Sequence, residues 1–198
     1  LMMAGLSAAQ DEGPNSFGLY FDDVGDECYM MNGGNAAFGS AVTVRMVLAG
    51  PAAAEIRGFE IQFATEPAGA AVFTSTVFPV NAIDIDNAPE SIIVGFGDPV
   101  FANACGHAYL GDLNFLVFSP DGFEILAGPT VPASIPGECA FLDGEDNIIA
   151  MEFSTDADGM GRGDDGWSLP GYGLCANNMD AAIPAEDATW SEVKGLFR

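Results

Sequence analysis

One stretch constrains this chain more than any other. Gly58-Phe59-Glu60-Ile61-Gln62-Phe63 alternates strictly, with Phe59, Ile61 and Phe63 on one side and Glu60 and Gln62 on the other. A period of two places successive side chains on opposite faces of a strand, so this segment predicts a half-buried β-strand. The residues around it follow the same grammar, as short apolar runs broken by Gly, Pro, Asn and Asp. The runs predict strands at Phe17–Asp22, Ala41–Leu48, Ile56–Ala64, Ala70–Val77, Ser91–Gly97, Tyr109–Phe118, Phe123–Ala127, Glu138–Leu142 and Asn147–Phe153. Ser119-Pro120-Asp121-Gly122 has turn chemistry, so the strands on either side of it are expected to form a hairpin. No helical period of useful length occurs before the C-terminus. The expected fold is all-β, an antiparallel sandwich of immunoglobulin-like or jelly-roll type with about nine strands.

Composition decides which all-β protein this is. There are 29 Asp and Glu against 5 Lys and Arg, a net charge of -24, while 49% of the 198 residues are hydrophobic. Fifteen Phe separate the chain from a disordered acidic tail. The charge repels a phosphate backbone, so no nucleic acid is expected as a partner. Anionic membrane surfaces are disfavoured too, and no run of about 18 apolar residues predicts membrane insertion.

Four segments are expected. Residues 1–16 open with an apolar stretch, Leu1, Met2, Met3 and Leu6, then small residues. This reads as a signal-peptide remnant or as a strand that links subunits. Residues 17–153 hold the sandwich. Residues 154–185 are a Gly- and Asp-rich loop region. Residues 186–198 form a helical tail: Thr189 and Glu192 make a capping box, and Trp190, Val193 and Phe197 share one helical face. Lys194 and Arg198 lie near the helix C-terminus, where the dipole favours cations. Both ends are thus candidate docking elements on a partner.

Four cysteines, Cys28, Cys105, Cys139 and Cys175, are dispersed and form no CxxC pair. In an exported protein such a set predicts two disulfides, with three possible connectivities. Cys105–Cys139 with Cys28–Cys175 is the pairing expected, and buried thiols are the alternative. The one histidine, His107, is two residues from Cys105. A disulfide at Cys105 would remove the thiolate that nucleophilic catalysis needs.

Calcium is the ligand with the best physical case, because it takes oxygens from carboxylates along Asp/Gly loops. The candidate ligands are Asp22, Asp23 and Asp26, then Asp143 and Asp146, then Asp156, Asp158, Asp164 and Asp165. The contrary reading is a solvated acidic surface. Asp156-x-Asp158-Gly159 starts like a calcium loop, but the twelfth position is Trp167 instead of Glu. No Gly-rich phosphate loop sits between a strand and a helix, so no organic cofactor is expected.

Three strand patterns carry a resemblance: Val42-Thr43-Val44-Arg45-Met46-Val47-Leu48 followed by Ile56 to Phe63, Leu110-Gly111-Asp112-Leu113-Asn114-Phe115-Leu116-Val117-Phe118, and Phe141-Leu142-Asp143-Gly144-Glu145-Asp146-Asn147. Over residues 38–153 the chain resembles cohesin-type extracellular sandwich modules. The Phe17 to Asp23 opening and the C-terminal end also resemble small secreted proteins of environmental bacteria. The resemblance implies the sandwich fold and export; it does not imply dockerin binding.

These readings converge on a non-enzymatic secreted protein of structural or adhesive kind, at the cell surface. The concrete version is a self-associating subunit of an extracellular fibre or surface assembly. The alternative is a module that binds a glycan or a surface protein, with Trp167, Tyr172 and Trp190 as sugar platforms. A glycosidase comes third, since it needs two facing carboxylates in a cleft.

Overall fold

The computed structural model describes residues 14–21, 38–86, 88, 90–119 and 123–153. They form eleven strands and, among the described residues, no helix: β1 (Ser16–Phe21), β2 (Ala41–Ala49), β3 (Ile56–Glu66), β4 (Ala71–Val77), β5 (Ala82–Asp84), β6 (Ser91–Val100), β7 (His107–Val117), β8 (Glu124–Gly128), β9 (Ala140–Asp143), β10 (Ile148–Ala150) and β11 (Glu152–Phe153). The expected helical tail, with the rest of 186–198, lies outside the described residues.

Two sheets make the sandwich. The first runs β11-β1-β2-β7-β4 and the second β10-β9-β3-β6-β5, with β8 also on β3. Every described pairing is antiparallel except β1 with β11. Strand β3 is long enough to take two partners in turn along one side. Glu60 faces Ala140 of β9, Gln62 faces Gly128 of β8, and β6 holds the opposite side.

The strict alternation of β3 sets the core. Phe59, Ile61 and Phe63 of β3 are fully buried, and so are Val44, Met46 and Leu48 of β2. Aromatic rings fill the space between the sheets. Phe63 lies 5.1 Å from Phe73 and 5.8 Å from Phe115, and Phe59 lies 5.9 Å from Phe96. Such edge-on and tilted pairs contribute about 0.5–1.5 kcal/mol each beyond area burial. Among the described residues, much of the apolar content thus goes into this core.

Two expectations need correction, and one strand was not expected. The Ser119–Gly122 turn does not close a hairpin: β7 bonds β2 and β4 in the first sheet, while β8 bonds β3 in the second. A turn signal specifies reversal, but the sheet that a strand joins depends on which unpaired edge lies near it. The expected Asn147–Phe153 strand is two short ones in different sheets. Met151 crosses between them, buried, its N–H donating to the Cys139 carbonyl. Strand β5, only three residues long, went unpredicted because Asp84 and Asp86 break its apolar pattern.

Candidate interaction surface

The two sandwich faces end differently. On the outer face of the second sheet, Glu60 is fully buried. Its Oε1 accepts the Ser134 N–H at 2.7 Å and its Oε2 accepts the Ser134 hydroxyl at 2.9 Å. The segment joining β8 to β9 is thereby clasped onto this face. Ile93 and Leu142 form a second small buried cluster there, with Ile85 and Ile148 packed on it.

Burial pushes the Glu60 carboxyl above its ordinary 4.5, against the two Ser134 hydrogen bonds that favour its charged form. A carboxyl whose folded pKa is raised holds its proton better when folded. Its contribution to stability is fully present below 4.5 and is lost as pH rises through the raised value. Glu60→Gln keeps an acceptor for the Ser134 N–H without a charge to desolvate. It is expected to raise Tm at pH 7 by a few degrees, as about 1 kcal/mol would. The advantage should shrink below pH 4.5. An equal advantage at pH 4 and pH 7 in parallel melts would reject this account.

The outer face of the first sheet carries cross-strand rows. In one, the Thr43 hydroxyl bonds Asn114 Oδ1 at 2.8 Å and Asn114 Nδ2 donates to Ser75 Oγ at 3.3 Å. In the next, Arg45 Nε lies 3.7 Å from Asp112 Oδ1, and the guanidinium sits 5.0 Å above the Tyr109 ring. Arg45 is thus neutralised within its own face. Farther along, Ala41, Leu116 and Val72 stand side by side across β2, β7 and β4.

This last row opens onto the feature that draws attention. Val72 is 49% exposed, Phe118 45% and Phe38 67%, and the two Phe rings meet edge to face at 6.5 Å. The backbone holds them together: the Gly39 N–H donates to Val117 O, and the Phe118 N–H to Ala70 O. The strip from Phe38 to Ala41, from Leu116 to Ser119 and along β4 contains no ionisable side chain. On a chain of charge -24, an uncharged apolar strip is where another surface can approach without like-charge contact. Sequence reading missed it, because Phe38 and Phe118 are 80 residues apart and look like core aromatics.

The sequence-derived candidates fall elsewhere. Asp143 and Asp146 share the β9–β10 turn. Asp143 Oδ1 accepts the Glu145 and Asn147 N–H groups at 2.8 and 2.7 Å, and its Oδ2 accepts Asn147 Nδ2 at 2.9 Å. Asp143 thus shapes the turn, and Asp146 takes its positive φ of 65°. Among the described residues no three His, Cys, Asp or Glu side chains gather to hold a metal. Asp22, Asp23, Asp26, Asp156, Asp158, Asp164 and Asp165 lie outside the described residues. So do Cys28, Cys175, Leu1, Met2, Met3, Leu6, Trp167, Tyr172, Trp190, Val193, Lys194, Phe197 and Arg198.

The expected Cys105–Cys139 disulfide is corrected. Cys139 is a thiol packed into the inter-sheet core, whereas Cys105 sits exposed before β7. Cys105 is disulfide-bonded, so it offers no thiolate beside His107. The His107 backbone N–H is held by Asn103 Oδ1 at 3.0 Å.

No family model matches the sequence, and no curated protein matches it. Among solved structures, the chain is similar to a cohesin module from a Clostridium perfringens family 33 glycoside hydrolase. The two are 14% identical, covering 70% of this chain and 90% of that one, with a TM-score of 0.47. It is also similar to a type II cohesin domain from the cellulosome of Acetivibrio cellulolyticus. There the identity is 12%, covering 69% of this chain and 88% of that one, with a TM-score of 0.45. Both are likenesses of fold.

Proposed function

We propose that the chain is a non-enzymatic structural or adhesive module that works outside the cell by joining copies of itself, as a subunit of a fibre or surface assembly. The observation that carries this reading is the uncharged strip with Phe38, Val72 and Phe118 exposed on an otherwise strongly acidic chain. Apolar side chains grouped in this way stabilise contacts when covered, at roughly 25 cal/mol per Å² of apolar surface. The acidic remainder opposes association until ions screen it, since the Debye length falls to about 8 Å at physiological salt. Calcium at the acidic loops would lower the same repulsion.

Sedimentation of the full chain tests this. Larger species are expected in salt of about 0.5 M with calcium, and fewer of them near 0.01 M salt without it. The double variant Phe38→Ser with Phe118→Ser should shift the midpoint of association at least about tenfold in concentration, equivalent to 1.4 kcal/mol. A chain that stays monomeric throughout rejects the reading. Should that monomer retain an immobilised glycan, the binding-module alternative, with its Trp167 and Tyr172 platforms, takes its place.

A further inference from the structure

We infer that β4 is a pairing edge whose partner is the β4 of a second copy, running antiparallel. This rests on the self-association proposed above and names the element that makes one of its contacts. Strand β4 lies at the margin of the first sheet, bonded on one side to β7. The Thr65 hydroxyl caps the Ala71 carbonyl at 3.3 Å. From Val72 to Val77, no described residue hydrogen-bonds the outer side of the strand. Folded proteins usually guard such an edge with charge or proline, and Ala71-Val72-Phe73-Thr74-Ser75-Thr76-Val77 has neither.

The bulge selects the partner. Pairing with β7 slips between Phe73 and Ser75, where the Thr74 hydroxyl bonds the Asn114 carbonyl at 2.9 Å. The extra residue resets the alternation. Val72, Ser75 and Val77 consequently face outward together, opposite Leu116, Asn114 and Asp112. Two such strands related by a two-fold axis at Ser75, the middle of the five ladder positions, bring Val72 of each copy opposite Val77 of the other. Phe73 then meets Thr76 on the inner face. Both exposed valines find an apolar partner, at 49% and 52% exposure before contact, and β4 itself brings no charge to the seam. An isologous contact of this kind is self-complementary and closes as a dimer, joining two five-stranded sheets into one. Phe38 and Phe118 flank the Ala71 end of the strand and so lie over each end of the seam.

Cross-linking the full chain tests the register. The double variant Val72→Cys with Val77→Cys should form an oxidised dimer at least about tenfold more than either single variant. Directly opposed Cβ atoms come within about 5.5 Å, while like positions, four ladder steps apart, lie about 14 Å apart along the strand. Val72→Lys with Val77→Lys, both at exposed positions, should keep the wild-type melt and weaken dimerisation at least about tenfold. Singles that cross-link as well as the double overturn the inference. So does association that survives the lysines, or association that is lost only when residues 1–13 are deleted. In the last two outcomes self-association itself stands, whereas a wild-type chain that never associates removes both readings.

Discussion

Phe115→Ala is expected to cost the fold about 3–5 kcal/mol, the range for deleting a fully buried Phe ring. The site explains why this substitution ranks first. Phe115 is 1% exposed, on β7 of the first sheet. Its ring meets Phe63 of β3 in the opposite sheet at 5.8 Å, Phe73 of β4 at 5.8 Å and Phe123, just ahead of β8, at 6.3 Å. One side chain thus ties the two sheets to each other, from β7 and β4 of the first to β3 and the start of β8 in the second. Removing it leaves a void that the neighbouring rings fill only in part, because the surrounding structure relaxes incompletely. A thermal melt should fall by about 6–20 °C for a domain of this size. A loss below about 1 kcal/mol would mean that the rings do not pack as described.

Gly111→Ala is the second large effect, about 2–4 kcal/mol, from strain and overpacking together. Gly111 sits at the irregularity where β2 and β7 slip register, opposite Met46. Its φ is 145°, which L side chains rarely adopt. A Cβ there would lie 2.7 Å from the Val77 carbonyl oxygen and 3.2 Å from both Met46 Cε and Phe78 Cδ1. The methionine can move, but the carbonyl belongs to the backbone at the end of β4. Gly69→Ala separates the two causes. Gly69 also has a positive φ, 79°, yet a Cβ there meets nothing within 4 Å. It should lose only the conformational part, about 1 kcal/mol. Equal losses at both positions in denaturant melts would show that close approach at Gly111 contributes nothing.

These two sites also mark how far the sequence could be read. The β3 alternation was legible because a period of two leaves a face that must be buried, and Phe59, Ile61 and Phe63 are buried. The same rule applied to β4 fails. Unbroken alternation groups Phe73, Ser75 and Val77, whereas Thr74 bulges out and groups Val72 with Ser75 and Val77 instead. No local signal marks that bulge, since it answers to the register of β7. Leu110 and Gly111 likewise look like ordinary strand residues until the slip against β2 is known. The candidate site was still less legible. Phe38 and Phe118 become neighbours through backbone bonds from Gly39 to Val117 and from Phe118 to Ala70, which sequence distance conceals. Their signal was weak: aromatic residues just beyond strand ends, in stretches free of charge.

Local patterning was therefore enough for most of the strand content and for the apolar face of β3. Both follow from side-chain chemistry within a few residues. Which sheet each strand joins, which edge stays unpaired, which cysteine takes a bond and which apolar residues remain outside are matters of long-range pairing. Ala41, Leu116 and Val72 form one row because β2 and β4 both bond β7, although no two of them are close in sequence. Glu60 looks like the solvent side of an amphipathic strand and is instead buried under Ser134. A strand's pattern states that one face prefers water less than the other; whether the second face meets water depends on what the rest of the chain lays over it.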